Sequence, residues 1–151
     1  DYPEITAEDW YIYIMTANIV NPRLRSKFQV ILLPNLYGDI ITDEAAQLQG
    51  GVGTAGSANL GDEYSMFEAI HGSAPRMIEQ GRGKYANPTS MFKASEMLLR
   101  HIGFAEKADK LGKALVYCTE TEPKFVITGH EDGATGREFA DYLMETIEKM
   151  K

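Results

Sequence analysis

Asp39 and Asp43 stand four residues apart, directly after the apolar run Val30-Ile31-Leu32-Leu33-Pro34. In a helix that spacing places both carboxylates on one face, one turn apart. Bare, the two charges repel. A hard divalent cation such as Mg2+ or Mn2+ held between them reverses the sign, because carboxylate oxygens are its preferred ligands. The same residues also suit a helix start, with Asp39 as its cap and Asp43 beside the positive N-terminus. Spacing alone leaves both open.

Two further segments have the composition of ligand loops. Gly51-Val52-Gly53-Thr54-Ala55-Gly56 matches the letters of the dinucleotide-binding fingerprint. That fingerprint works where a strand runs into it and a helix leaves it. Here a helix precedes and the polar stretch 57–62 follows, so the segment reads as a close-packed loop. In His71-Gly72-Ser73-Ala74-Pro75, small residues after a strand let backbone amides approach a ligand, and the imidazole offers a flat face to a base or ribose. A turn with a hydrogen-bonded histidine fits the same letters. Arg76, Arg82 and Lys84 could hold a phosphate or form a solvated loop. Ser73 has no His and Asp at readable spacing, which argues against a hydrolytic triad.

The elements that must carry these residues read as α/β. Thr6, with Asp9 three residues on, predicts a helix over 6–20 that ends before Asn21-Pro22. Its apolar residues run nearly all the way round, the pattern of a helix buried on more than one side, as in a subunit interface. Residues 28–33 predict a buried parallel strand, 39–49 a helix, 50–61 a glycine-rich loop and 65–70 another strand. Asn87 as cap and Pro88 at the first helical position open a helix whose face is Met91, Ser95, Leu98 and Ile102, and which Gly103 stops. A second helix over 104–117, a short strand over 124–128 and an amphipathic helix over 134–150 complete the chain. Strands alternating with helices mean α/β.

The bulk numbers agree with one ordinary globular domain of 151 residues. A net charge of −7 argues against a general nucleic-acid or anionic-membrane surface. The lone cysteine, Cys118, cannot close an internal disulfide, which fits a reducing cytoplasm, and three scattered histidines make no zinc-type cluster. No apolar run approaches the roughly 20 residues that span a bilayer, and no signal-peptide pattern opens the chain. The first residue is Asp1 rather than Met, which fits a cut or trimmed product.

Taken in order, Asn35-Leu36-Tyr37-Gly38-Asp39-Ile40-Ile41-Thr42-Asp43-Glu44-Ala45-Ala46, Gly50-Gly51-Val52-Gly53, Ser57-Ala58-Asn59-Leu60-Gly61, Met66-Phe67-Glu68-Ala69-Ile70-His71-Gly72-Ser73-Ala74-Pro75 and Ala86-Asn87-Pro88 resemble the β-decarboxylating dehydrogenases. That family contains isocitrate, 3-isopropylmalate and homoisocitrate dehydrogenases, and the likeness is strongest to the isocitrate enzymes. It covers essentially the whole chain.

The resemblance implies the C-terminal portion of the isocitrate/isopropylmalate dehydrogenase-like fold, a mixed sheet with flanking helices. Residues 1–49 would belong to the small, dimerisation domain and 50–151 to the C-terminal half of the large cofactor-binding domain. Family members oxidise a 2-hydroxy acid with NAD or NADP and decarboxylate the product, with Mg2+ or Mn2+ bound. By similarity Asp39 and Asp43 are metal ligands, His71, Gly72, Ser73, Ala74, Pro75, Arg76 and Met77 form the cofactor loop, and Asn87 reads the adenine. The implied protein is a cytoplasmic homodimer of the tricarboxylic acid cycle acting on isocitrate, without nucleic-acid or membrane partners.

Two residues depart from the pattern. Tyr11-Ile12-Tyr13 stands where the family has Tyr-Ile-Asp, and a tyrosine phenol is no ready Mg2+ ligand at neutral pH. Asp9, one turn earlier, would reach only if the helix shifted. Arg76 replaces an acid that NAD-preferring members often use on the ribose, which leans toward NADP and leaves the choice open. The family's substrate-gripping arginines and its catalytic tyrosine and lysine lie upstream of the region matched by Asp1. The expectation is therefore a portion of an enzyme that needs its N-terminal part, with no complete catalytic set and no activity alone, and with apolar faces left uncovered. A non-catalytic partner or regulatory subunit, or a 3-isopropylmalate or homoisocitrate dehydrogenase, is the alternative.

Overall fold

The computed structural model describes residues 2–150. It divides into two compact units, Asp1–Gln49 and Gly50–Lys151.

In the first unit, residues 2–11 are exposed and non-helical, so the helix expected over 6–20 begins at Ile12 instead. The Thr6–Asp9 capping pattern meets no packing partner, and a turn without an apolar face to bury is marginal in water. Helix α1 (Ile12–Val20) buries Met15, Asn18 and Ile19 and ends at Asn21, as expected. The Asn21 side chain then accepts the Arg23 N–H at 3.0 Å, and Pro22 takes the first position of the short α2 (Pro22–Arg25). Trp10 meets Phe28 edge-on, with ring centroids 6.1 Å apart.

The strand expected over 28–33 is absent. Val30 is 87% exposed and Leu32 95%. An apolar run becomes a strand only when a neighbouring strand takes its N–H and C=O groups, and among the described residues none pairs with it. Helix α3 (Asn35–Leu48) follows, with Pro34 at its N-cap and Ile41 and Ala46 buried. It starts four residues before the expected Asp39.

The second unit opens with a single 3-10 turn, Val52–Thr54, and then β1 (Gly56–Leu60) pairs antiparallel with β2 (Ser65–Ala69), Gly56 opposite Ala69 and Leu60 opposite Ser65. Residues 50–61 are therefore not all loop. Their small side chains have a packing reason: a Cβ on Gly56 would lie 2.5 Å from the backbone N of Ala94, so β1 runs directly against α5 (Thr89–His101). Helix α5 buries Thr89, Ser90 and Ala94 on this side, whereas Met91, Leu98 and Ile102 of the expected core face are exposed. The short helix α4 (Pro75–Glu79) and a 3-10 turn, Gly83–Tyr85, connect β2 to α5.

Helix α6 (Ala105–Val116) packs on α5 and runs into a π-helical turn, Tyr117–Thr121. Helix α7 (Gly136–Lys149) begins with a full capping box: the Glu138 N–H donates to the Thr135 hydroxyl at 3.2 Å, and Glu138 accepts the Thr135 N–H at 2.8 Å. Between them, 124–128 forms no strand; the Ala134 N–H to Val126 carbonyl bond at 2.8 Å is an isolated contact. The core is built from Ala114, Leu115, Cys118, Phe139 and Leu143. Burial pushes the Cys118 thiol up from its ordinary value, and its sulfur lies 3.4 Å from the Thr146 hydroxyl, which makes it a packing residue. The molecule is α/β, helices with a small antiparallel sheet.

Candidate functional site

Because α3 begins at Asn35, Asp39 lies in its second turn and cannot be its cap. That removes the helix-capping explanation for the pair. Asp39 and Asp43 are one turn apart and both exposed. The Thr42 hydroxyl between them turns back to the Gly38 and Asp39 carbonyls at 2.7 and 3.3 Å. Among the described residues no ion pair involves either aspartate. Two like charges at this spacing repel, and nothing on α3 offsets them.

The donor set suits a hard divalent cation, which takes about six oxygen ligands, and it supplies two of them. Among the described residues no group of three or more His, Cys, Asp or Glu side chains could hold a metal. By itself the pair falls short of a complete coordination shell. Tyr13 is exposed on α1 and stacks on Tyr11, with ring centroids 5.7 Å apart and planes at 17°. Asp9 lies in the non-helical segment ahead of α1, so it shares no helical face with Tyr13.

In the second unit β2 delivers His71 to a loop of exposed residues, 71–76, with Met77 half-buried. His71 Nδ1 lies 2.9 Å from the Gly72 carbonyl. Ala74 takes a left-handed backbone, φ 48°, and its carbonyl accepts the Met77 N–H at 2.9 Å to start α4. A Cβ on Gly72 would meet nothing within 4 Å, so the loop is open on that side.

Asn87 is half-buried at the head of α5, where its Oδ1 accepts the Thr89 N–H at 3.0 Å. The helix thus starts one residue later than expected, with Pro88 rather than Asn87 at the N-cap position and Asn87 bonded to the first turn from just ahead of it. A Cβ on Gly53 would lie 3.2 Å from that of Asn87, so the glycine-rich turn backs this side chain. Of the three basic residues considered for a phosphate, Arg82 is occupied, its guanidinium donating to the Gly129 carbonyl at 2.8 Å and to Gln80. Arg76 stays exposed, and the Lys84 ammonium lies over the Tyr85 ring at 4.9 Å.

Ser90 and Ala55 were not singled out from the sequence. The buried Ser90 hydroxyl donates to the Ala55 carbonyl and accepts the Ile70 N–H at 3.3 Å, tying both ends of the hairpin to α5. The available signal was a small polar residue in a helix's first turn behind a capping Asn, which by itself marks only a helix start.

The profile of the isocitrate/isopropylmalate dehydrogenases matches residues 1–130. The chain belongs to that family. Within the isocitrate/isopropylmalate dehydrogenases it is 45% identical over 116 residues to a 3-isopropylmalate/3-methylmalate dehydrogenase of Methanocaldococcus jannaschii, a match covering 76% of this chain and 33% of that one. It is also 45% identical over 115 residues to an NADP isocitrate dehydrogenase of Rickettsia prowazekii, covering 76% of this chain and 23% of that one. Its fold superposes on a crystal structure of isocitrate dehydrogenase from Methylococcus capsulatus with a TM-score of 0.87 at 31% identity, over 98% of this chain and 42% of that one. The chain thus spans about a third or less of the curated relatives named here. Isocitrate/isopropylmalate dehydrogenases are oxidoreductases that use NAD(P) and a divalent metal.

Proposed function

We propose that this chain contributes two parts of the active site of an NAD(P)-dependent isocitrate dehydrogenase, a metal half-site on α3 and the coenzyme loop after β2. The exposed, unpaired Asp39–Asp43 couple inside α3 is the observation that carries it. Asp39 and Asp43 would hold Mg2+ or Mn2+, and their repulsion in its absence favours binding. A divalent ion held there would supply Lewis-acid stabilisation of negative charge on a substrate oxygen.

The loop residues act on the coenzyme. The exposed stretch 71–76 can approach a ribose-phosphate, the His71 ring offers a stacking face, and Asn87 can address the adenine. Arg76, an exposed cation at the second position of α4, suits a 2′-phosphate and supports NADP over NAD. A cytoplasmic homodimer completes the proposal. No helix among the described residues is long and apolar enough to cross a membrane, and the exposed apolar side chains Tyr11, Tyr13 and Val20 on and beside α1 suit a second copy as cover.

The 151-residue chain is expected to bind NADP by calorimetry and to produce no NADPH from isocitrate. Turnover by the chain alone overturns the division of the site, and absence of any NAD(P) binding overturns the coenzyme assignment. Two observations favour a second reading. The matched relatives include 3-isopropylmalate enzymes at equal identity, and by the resemblance Tyr13 falls where the family pattern has a carboxylate. Assays of isocitrate and 3-isopropylmalate on a preparation in which an N-terminal part complements the chain separate the substrates. Inactivity of that preparation toward both points to a non-catalytic partner subunit.

A further inference from the structure

We infer that Ser90 is a positioning residue for the coenzyme: its buried hydroxyl locks the root of the 71–77 loop to the helix turn that carries Asn87. Ser90 is 0% exposed. Its hydroxyl donates to the carbonyl of Ala55, the residue before β1, and accepts the N–H of Ile70, the residue after β2. The Ile70 N–H also faces the Ala55 carbonyl, at 3.4 Å, so carbonyl, amide and hydroxyl close a triangle. His71 is the next residue along the chain. Three residues before Ser90 stands Asn87, capped onto Thr89 and backed by Gly53. One hydroxyl therefore references both coenzyme-facing segments to the same turn of α5.

The lock has no substitute in place. Among the described residues no buried side-chain polar atom lacks a partner. Taking the hydroxyl away leaves the Ile70 N–H only its long bond to the Ala55 carbonyl, 3.4 Å. Ser90 lies outside the α6–α7 core cluster of Leu115, Cys118 and Leu143, so its loss acts on the loop root before it acts on the core. The role rests on the assignment of residues 71–77 and Asn87 to the coenzyme.

Ser90→Ala and Ser90→Cys, compared with the parent chain, test this by NADP titration and by amide hydrogen exchange at Ile70, Leu115 and Leu143. The expected result is Ile70 exchange and NADP dissociation both faster or weaker by about tenfold in Ser90→Ala, with Leu115 and Leu143 unchanged. Ser90→Cys, whose thiol keeps a weak donor, is expected to recover part of both losses. Unchanged NADP affinity in Ser90→Ala overturns the positioning role, as does a uniform loss of protection that includes Leu115 and Leu143. A parent chain that binds no NAD(P) overturns the coenzyme assignment itself, which is a different result from a binding parent with an indifferent variant.

Discussion

Asp39 and Asp43 are more informative for what they do not do. They cap no helix and join no ion pair among the described residues, so their charge is uncompensated within α3. Removing one should relieve repulsion and, on the proposed role, lose a metal ligand at once. Asp39→Asn and Asp43→Asn are each expected to raise the thermal midpoint of the metal-free chain slightly, and to weaken Mn2+ binding by about tenfold or more. Thermal melts with and without Mn2+ read both signs together, and a variant that binds Mn2+ as the parent does would remove that aspartate from the site. Glu138 behaves in the opposite way. The Thr135 N–H, and after it the Thr135 hydroxyl, hold its carboxyl below the ordinary value of 4.5. A lowered native value means the stabilisation is complete above that ordinary value and lost as pH falls through the shifted one. Helicity of α7 is expected to fray in acid with this slope, and Glu138→Gln should flatten the acid limb seen by circular dichroism.

At the scale of elements, close approach decides more than apolar character. Gly56→Ala would press a methyl group to 2.5 Å from the Ala94 backbone nitrogen, and main chain cannot swing aside as a side-chain tip can. It is expected to destabilise the second unit by about 1–3 kcal/mol, measured by urea unfolding. The same contact explains what could and could not be read from the sequence. Helix ends were legible where a residue stops or starts a helix for local reasons: Asn21-Pro22, Asn87-Pro88, and Gly103 after α5. The run Gly56-Ser57-Ala58 carries no strand propensity, and it forms β1 by pairing with β2, with Gly56 close against α5. Met91, Leu98 and Ile102 are periodic and apolar yet exposed, while Thr89, Ser90 and Ala94 are buried, since the tightest face of α5 selects for size. Residues 28–33 and 124–128 look like strands and are none, because pairing is a property of neighbours and not of the run. The candidate site divided likewise: the aspartates, the loop and Asn87 were readable as letters, whereas Ser90 acts through a contact 20 residues away in sequence.

On the scale of the whole molecule, the burial is uneven. The second unit has a filled core around Leu115 and Leu143, both at most 1% exposed. The first unit buries Met15, Ile19, Ile41 and Ala46 and leaves Val30 and Leu32 almost wholly in solvent. Side chains that touch nothing contribute nothing to the fold, but they add to self-association. Val30→Thr with Leu32→Ser is expected to leave the thermal midpoint within about 1 °C, because surface substitutions away from packed features are nearly neutral, while reducing aggregation seen by light scattering. A fall in the midpoint would show that these side chains are covered in solution.

Ala74 has a left-handed backbone, φ 48°, although it carries a Cβ and precedes a proline. Such a residue holds roughly 1–3 kcal/mol of conformational strain that the surrounding structure must sustain. The bend ahead of α4 is therefore set in the free chain, and a coenzyme docking at this loop, as proposed, would have less chain to order. Ala74→Gly would relax the strain and widen the ensemble of the free loop. Calorimetry is expected to show the difference as a less favourable binding entropy at nearly unchanged enthalpy.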